Sequence, residues 1–492
     1  MSKAYLNSIF LILLLHCSVI VYSQTKSPPL TLSYQNIKLS DLIDTIRVKS
    51  GLHISYDVNS IPVDSVLDID VKNLSCKDIL KQVLNKPGIE ILVRDNQAII
   101  RPNTHAEQTF EIRGKVVDYR SKPLPLVNIS VKNKPTGTIT NSSGEFILHL
   151  SGGHGNDTLC FSSLGFKTEC LPISDADTSL TVKLTETSIP LPEVMIRFKN
   201  VDDIIEQFKK NRDRNYPEQK MLATAFFREA VKEDGTYVNV AEAVIDIIKF
   251  PYDQPYKLEY VKFVKGRKYS DVATMKDVKF RIEGGPFYFS RIDIARYMDI
   301  MPHDGSPPLY KYKLEGLDYE YDRMVFIVSF EPIDDNGELL YKGVMRIDTE
   351  TYALISADLE LSKKALKESR KYFIKKESGK LKAKPVFARY SINYRPYKDI
   401  WLLNKVRGEM KIKVNDKNKK AKHTFEAVSE LLMSNYRNAG NVKFKPSEKF
   451  KASYILTEQI KEYDPEFWKR FNVIKPDEDI ENVFKSSQRE EK

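Results

Sequence analysis

The spacing of hydrophobic residues changes twice along the chain and divides it into three regions. In residues 29–102, apolar positions switch between helical spacing and strand-like alternation. Residues 109–187 contain only short alternating runs, which are separated by Pro, Gly and Asn-Ser-Ser-Gly turns. Residues 201–492 start with one helical pattern and continue with longer alternating runs. The pattern predicts a multidomain, mainly β protein.

The first region, residues 29–102, is predicted to be a small α+β module with the order β-α-β-β-α-β-β. An amphipathic helix with the pattern L-x-x-L-I ends at Gly51, and a second helix follows a capping box formed by Ser75 and Asp78. The segments "IEILV" and "QAIIR" are predicted to form a terminal hairpin.

This region resembles the secretin and TonB N-terminal (STN) domain. The resemblance rests on the first helix ending in S-G-L, the D-V-K-N-L strand end, the D-I-L-x-x-V-L helix and the terminal hairpin. In that family the module is a periplasmic interaction domain without catalysis. The resemblance therefore implies that an envelope protein is a partner of this region.

The second region, residues 109–187, is predicted to be an antiparallel β-sandwich of about seven short strands. Its pattern resembles the carboxypeptidase regulatory-like domain, which implies an accessory sandwich without peptidase chemistry. The shared positions are Gly114, Asp118, Pro123, Pro125, Gly137, Thr138, Thr140, Gly144, Phe146, Ser162, Gly165 and Phe166.

Peptidase chemistry is also disfavoured by the histidines. A zinc carboxypeptidase needs an H-x-x-E pair and a distant third histidine. Only His423 has a glutamate at the required spacing, Glu426, and no histidine follows it. No nucleophile elbow, zincin, P-loop or dinucleotide motif occurs in the sequence. We therefore expect no catalytic, cofactor-binding or metal-binding residues, and no cofactor.

The third region follows a Pro-containing linker, residues 188–200, and covers residues 201–492. After one helix, its long alternating runs predict a large, curved antiparallel sheet or incomplete barrel. Both faces of many runs carry Lys, Glu or Arg, which argues against a lipid-facing barrel. In "DYEYD", Asp318, Glu320 and Asp322 share one strand face and are expected to be solvated rather than catalytic.

The segments "YKGVMRIDTETYALISADLEL" and "ARYSINYRPYKDIWLLNKVRGEMKIKV" resemble LolA-type incomplete barrels. In that family the concave face holds acyl chains, so the resemblance implies a lipid or other hydrophobic ligand. The aromatic residues of this region can line such a groove or simply pack a core. The sequence leaves both alternatives open.

The N-terminus, residues 1–23, is predicted to be a signal peptide cleaved before Gln24. Lys3 precedes an apolar run of about 13 residues, which is too short to span a bilayer. A lipoprotein signal that uses Cys17 is the alternative. We expect export to the periplasm or to the periplasmic face of the outer membrane.

The chain carries a formal charge of +10, and removal of Lys3 with the signal peptide leaves +9. An exported chain rarely meets nucleic acid, so no nucleic-acid partner is expected. The excess of basic residues is interpreted as solvated surface, or as attraction to an anionic membrane surface or an acidic partner, which would allow peripheral outer-membrane association.

Cys160 and Cys170 lie at equal distances from Gly165 on the two arms of a predicted hairpin. Two ligands cannot complete a zinc site, and the spacing is not that of a C-x-x-C redox motif. The pair is predicted to be a structural disulfide, with two unpaired β residues as the alternative; Cys76 would then be the lone thiol.

The function predicted from the sequence is therefore that of a non-enzymatic, periplasmic or outer-membrane-associated binding or accessory protein. The alternatives are an envelope hydrolase with its site in the third region and a purely structural envelope protein.

Overall fold

The computed structural model describes the following residues: 29–56, 61, 63, 65–84, 89–94, 97–102, 109–151, 157–173, 179–187, 200–270, 285–302, 307–334, 340–369, 381–416, 421–461, 465–468 and 471–490. The chain forms two compact units, residues 1–108 and residues 109–492. The predicted signal peptide, residues 1–23, and nearly all of the predicted linker, residues 188–200, lie outside the described residues.

The first unit has the predicted order of strands and helices. Its elements are β1 (Leu30–Lys38), α1 (Leu39–Ser50), β2 (His53–Tyr56), β3 (Val66–Leu74), α2 (Cys76–Val83), β4 (Ile89–Arg94) and β5 (Gln97–Pro102). β1 pairs with β3 in antiparallel orientation, and β5 lies between β2 and β4.

Local sequence explains where the two helices of this unit begin and end. The apolar stripe of α1 is fully buried; Leu42 and Ile46 are both 0% exposed. Gly51 ends α1 with a left-handed φ of 71°, a conformation that favours glycine. The Ser75 side chain accepts a hydrogen bond from the Asp78 N–H and caps α2, as the capping box predicted.

The second unit starts with a β-sandwich of seven strands. They are β6 (Thr109–Val117), β7 (Asn128–Val131), β8 (Gly137–Ile139), β9 (Glu145–Ser151), β10 (Thr158–Ser162), β11 (Glu169–Pro172) and β12 (Ser179–Lys183). The sheets have the orders β11-β10-β7-β8 and β12-β6-β9. The prediction of purely antiparallel pairing is wrong at one place, because β12 pairs with β6 in parallel. Phe146 of one sheet and Phe161 of the other meet edge to face, with ring centroids 5.7 Å apart.

The rest of the second unit is organised around one ten-stranded antiparallel sheet. Its strands are β13 (Met221–Glu233), β14 (Thr236–Lys249), β15 (Tyr260–Ser270), β16 (Tyr310–Glu320), β17 (Arg323–Pro332), β18 (Tyr341–Asp348), β19 (Leu354–Leu361), β20 (Leu381–Tyr397), β21 (Ile400–Asp416) and β22 (Ala421–Asn438). The order is β15-β14-β13-β22-β21-β20-β19-β18-β17-β16, so β15 and β16 are the two edges. The predicted fold class is confirmed.

Helices of 4 to 15 residues accompany this sheet. They are α3 (Val201–Asn215), α4 (Gly285–Phe289), α5 (Ile294–Tyr297), α6 (Lys363–Glu368), α7 (Leu456–Gln459), α8 (Pro465–Trp468) and α9 (Glu478–Glu490). Within the described parts of the chain, none of the helices has both the length and the apolar composition needed to cross a membrane.

One face of the sheet, called the inner face here, is packed by α3, α4 and α5. Phe227, Leu431 and Val406 are in register on neighbouring strands of this face and belong to the same buried cluster as Phe208 of α3 and Phe289 of α4. The aromatic residues here therefore pack a core, which was one of the two alternatives that the sequence left open.

The opposite or outer face is covered by the β-sandwich and by the C-terminal segment. Ile139 of the sandwich and Ile474 join Phe226 and Leu432 of the sheet in one buried cluster. The Asn404 side chain donates a hydrogen bond of 2.7 Å to the Asn128 side chain across this contact. The central part of the sheet is thus buried on both sides.

An in-register row of alternating charges crosses the buried outer face. Glu242 accepts hydrogen bonds of 2.6 Å from both Arg267 and Arg228, and Arg407 donates one of 2.5 Å to Glu430. Burial alone would raise the pKa of Glu242, but the two arginines beside it lower the pKa below its usual value. Neighbouring charges compensate each other, which allows charged positions under a second layer.

The expectation that the "DYEYD" acids are solvated is wrong for Glu320. Its side chain is 4% exposed and accepts hydrogen bonds from Ser356 and Asn393. Burial raises the pKa of Glu320. Asp322 lies in the turn beyond β16, where it accepts a hydrogen bond from the Thr168 N–H of the sandwich.

Candidate functional site

A cleft of about 710 Å³ opens beside β15, at one edge of the ten-stranded sheet. Three segments that are distant in sequence form its walls: the loop that leads into β15, the helix α4 with the turn after it, and residues 446–452. The last segment is held to the sheet edge by a hydrogen bond of 2.7 Å from the Phe450 N–H to the Val261 carbonyl. The lining residues are Phe250, Tyr256, Lys257, Leu258, Glu259, Tyr260, Val261, Phe287, Arg291, Pro446, Lys449, Phe450, Lys451 and Ala452.

The cleft exposes large apolar side chains to solvent. Tyr256 is 74% exposed, Leu258 is 50% exposed and Tyr260 is 39% exposed. Tyr260 packs edge to face against Phe250, with ring centroids 5.6 Å apart. A cluster of exposed aromatic and aliphatic groups in a concave surface is typical of a binding site.

Basic side chains line the same cleft. The lining contains four cations, Lys257, Arg291, Lys449 and Lys451, and a single acid, Glu259. The Lys449 ammonium lies 3.4 Å from the centroid of the Tyr260 ring. Cation–π contacts of this kind orient a cation without neutralising its charge. The cleft therefore combines an apolar floor with a positive charge.

Beneath the cleft lies a buried cluster of two cations and two acids: Lys249, Glu259, Asp293 and Arg296. Each is at most 3% exposed. Lys249 Nζ lies 2.8 Å from Asp293 Oδ2 and 3.2 Å from Glu259 Oε1, which also accepts a bond of 2.9 Å from Arg296 Nη1. Burial by itself would lower the pKa of Lys249, but Asp293 and Glu259 raise it above its usual value. The cluster is electrically balanced.

Tyrosine hydroxyls complete this ion cluster. Tyr252 and Tyr394 donate hydrogen bonds of 2.9 and 2.8 Å to the two oxygens of Asp293, and Tyr297 donates to Glu259. Burial, followed by the neighbouring Asp293 charge, raises the pKa of Tyr252 well above its usual value. All four carboxylate oxygens are thus engaged, and we interpret the cluster as a structural support.

Arg296 connects the ion cluster to the loop that leads into β15. Besides Glu259, its guanidinium donates to the carbonyls of Phe250 (3.2 Å), Gln254 (2.9 Å) and Lys257 (2.5 Å). These carbonyls belong to the loop that carries Tyr256 into the cleft. A buried side chain thus fixes the loop that forms one wall of the cleft.

The residues singled out from the sequence lie elsewhere. Cys160 and Cys170 are directly opposite each other on β10 and β11, and they are joined by a disulfide bond in the structure. Cys76 is buried at the start of α2 and is free. None of the three lines the cleft.

His423 and Glu426 do not form a common site. His423 Nδ1 lies 3.0 Å from both Glu233 and Asp234 at the β13–β14 hairpin. Glu426 instead pairs with Lys411 at 2.6 Å. Among the described residues, His423, Glu233 and Asp234 each place one possible metal-ligand atom close to the others. Exposed acids commonly cluster in this way without a metal, so the group by itself does not indicate a metal site.

The sequence reasoning missed the cleft and its ion cluster. No single segment that contributes to them has an unusual composition, and the contributing residues are separated by up to about 200 positions. The exposed pair Tyr256 and Leu258, in a short Pro-containing loop between two strands, is the one local signal that points to them.

Residues 112–196 match the family model described as the CarboxypepD_reg-like domain. The match confirms the resemblance of the β-sandwich. It continues past residue 187 into the predicted linker, residues 188–200, and covers well under half of the chain. It therefore assigns this domain and not the whole protein.

Several solved structures are similar to about half of the chain. A domain described as that of an outer membrane lipoprotein-sorting protein from Vibrio parahaemolyticus is 14% identical, covers 50% of this chain and 95% of that chain, and has a TM-score of 0.23. A DUF1329 family protein from Desulfovibrio piger is 13% identical, and the match covers 50% of this chain and 98% of that chain with a TM-score of 0.23. MucB in complex with MucA(peri) is 9% identical, and the match covers 49% of this chain and 99% of that chain with a TM-score of 0.15.

These TM-scores are far below 0.5, so nothing about the function of this chain is concluded from them. None of the curated proteins matches the sequence significantly.

Proposed function

We propose that this protein is a non-enzymatic binding protein of the bacterial cell envelope, and that the cleft beside β15 holds an amphiphilic ligand. The observation that carries the proposal is the combination of exposed Tyr256, Leu258 and Tyr260 with four cations in one concave surface. This combination suits a molecule with an apolar part and a polar head.

The dimensions of the cleft support a small ligand. A volume of about 710 Å³ lies within the range of roughly 300–1,000 Å³ that small-molecule sites occupy. Covering the side chains of Tyr256 and Leu258 would remove apolar surface from water, which favours binding by about 25 cal/mol for each Å². The fixed loop reduces the entropic cost of ordering the site.

The location of the proposed ligand in the envelope rests on the N-terminal sequence. Residues 1–23 have the features of a signal peptide, and residues 29–102 resemble a periplasmic interaction module. We therefore place the protein in the periplasm or on the periplasmic face of the outer membrane, with an envelope protein as the partner of the first unit.

The proposal is tested with N-phenyl-1-naphthylamine, a neutral apolar dye that fluoresces when it leaves water. The purified mature protein is expected to bind the dye in a saturable manner. Ala452→Trp places a large side chain in the cleft and should abolish this binding. Ile333→Trp, at a position that is 54% exposed outside the cleft, is the matched control and should leave binding intact.

Two results would contradict the proposal. The first is the absence of saturable dye binding by the folded wild-type protein. The second is equal dye binding by the wild type and Ala452→Trp, which would locate the apolar site elsewhere.

A further inference from the structure

Arg291 stands apart from the other cations of the cleft because part of its guanidinium is buried without a partner. Its Cζ lies 3.4 Å from the centroid of the Phe287 ring, and Nη2 donates a hydrogen bond of 3.0 Å to the Glu259 carbonyl. Nε is buried and has no hydrogen-bond partner among the described residues. The group is thus held in place by the ring and the carbonyl, with donor capacity left over.

The electrostatic surroundings of Arg291 also favour the binding of an anion. Burial lowers its pKa below the usual arginine value, although Glu259 partly opposes this shift. A lowered pKa means that the surroundings stabilise the positive charge less well than water does. An anion that approached this guanidinium would therefore be bound more strongly than at a fully hydrated arginine.

The acidic side chains near Arg291 are paired with other cations. Glu259 is engaged by Lys249, Arg296 and Tyr297. Glu448, next to the cleft, is paired with Lys262 at 2.7 Å. The positive charge of the cleft is thus not neutralised by the acids around it in the described part of the chain.

We infer that the cleft selects amphiphiles with an oxyanion head group, either carboxylate or phosphate, and that Arg291 is the residue that binds this group. The inference rests on the proposed function and adds the chemical class of the ligand. The planar guanidinium matches the two oxygens of a carboxylate or phosphate, and Lys449 contributes a second positive charge. The apolar part of the ligand lies on Tyr256 and Leu258.

The test uses displacement of N-phenyl-1-naphthylamine by three molecules with the same twelve-carbon chain, all below their critical micelle concentrations. Dodecanoate carries a carboxylate, monododecyl phosphate carries a phosphate, and 1-monododecanoylglycerol is neutral. For the wild type, the better of the two anions is expected to compete about tenfold more strongly than the neutral molecule, as one charge-assisted pair provides. The ranking of the two anions identifies the source of the oxyanion.

Arg291→Met removes the charge and keeps an unbranched side chain over Phe287. It should reduce the preference for the anions over the neutral molecule to less than about threefold, with the preference of each variant measured against its own affinity for the dye; Arg291→Lys should keep part of the preference. Arg120→Met is the matched control, because Arg120 also lies over an aromatic ring, that of Tyr119 at 4.9 Å, but outside the cleft. This control should behave as the wild type does.

The possible failures are distinguishable. If no dye binds, the proposed function itself is wrong. If the dye binds and all three molecules displace it equally, the head-group inference is wrong and the proposed function stands. If the anion preference survives in Arg291→Met, Arg291 is not the group that selects the anion.

Discussion

Glu229 offers a sharp test of the fold, because its carboxyl group is buried on the inner face of the sheet and no described residue supplies a compensating charge. It is 1% exposed, and Oε2 has no hydrogen-bond partner among the described residues. Its cross-strand neighbours are Ala241 and Ser429, and a Cβ built on Gly285 would lie 3.1 Å from Oε2. Burial raises the pKa of Glu229 from 4.5 to about 8.

This shift converts into a dependence of stability on pH. Between pH 4.5 and about 8, Glu229 keeps its proton in the folded state but loses it in the unfolded state. The contribution of Glu229 to the free energy of unfolding is therefore fully present below pH 4.5 and is lost as the pH rises through 8. At about 1.4 kcal/mol for each pKa unit, the loss is about 3 kcal/mol at pH 7 and levels off near 5 kcal/mol above pH 8. Glu229→Gln is neutral throughout and does not suffer this loss.

The measurement is urea unfolding of the wild type and Glu229→Gln at pH values from 5 to 9, followed by tryptophan fluorescence. The two tryptophans, Trp401 and Trp468, both lie in the unit that contains Glu229. The difference in unfolding free energy should rise in favour of Glu229→Gln by about 1.4 kcal/mol for each pH unit between 5 and 8. Any constant cost of the buried amide cancels in this slope.

Glu315→Gln is the control, because Lys313 and Ser329 lower the pKa of this exposed carboxyl, which leaves it ionised throughout the range. Its difference from the wild type should not change with pH. A difference between Glu229→Gln and the wild type that is equally flat would refute the reasoning, since it would mean that the Glu229 carboxyl is hydrated or paired in the folded protein.

Three further predictions follow from single features. Arg296→Met should lower the unfolding free energy by about 3–5 kcal/mol, because it leaves the buried Glu259 without its arginine partner; a loss below about 1 kcal/mol in urea unfolding would contradict the supporting role of the ion cluster. Peptide mapping without reduction should recover Cys160 and Cys170 in one disulfide-linked peptide, and replacing both by serine should lower the unfolding free energy by about 3 kcal/mol; two free thiols would contradict the predicted disulfide. Intact mass of the exported protein should show that residues 1–23 are missing, and their retention would contradict the signal peptide.

The parts of the fold that were predictable from the sequence are those that local pattern determines. The hairpins β18–β19 and β20–β21 contain alternating runs on either side of short turns, and the two strands of each hairpin pair with each other in the sheet. Gly51 and the Ser75 cap marked helix ends because they satisfy backbone groups within a few residues. Such features need no knowledge of distant contacts.

The candidate site was not predictable in this way, because it depends on contacts between distant segments. Lys249 ends a strand, Glu259 follows a loop and Arg296 belongs to a short helix, so each looks like an ordinary polar residue in its own segment. They become a buried cluster only when the segments meet at the β15 edge. Glu320 illustrates the same limit: strand alternation indicated a solvated position, but its carboxylate is buried and accepts hydrogen bonds from Ser356 and Asn393, which lie on other strands.

The layers on the sheet explain why a ligand site would lie at its edge. α3 and α4 fill the centre of the inner face, and the sandwich and the C-terminal segment cover the outer face, where Arg228 and Glu242 compensate each other. A ligand in either central layer would have to displace packed side chains, at a cost of several kcal/mol for each large one. At the β15 edge, by contrast, the exposed Tyr256 and Leu258 already lie in an open cleft, and the proposed ligand would cover them without breaking the core.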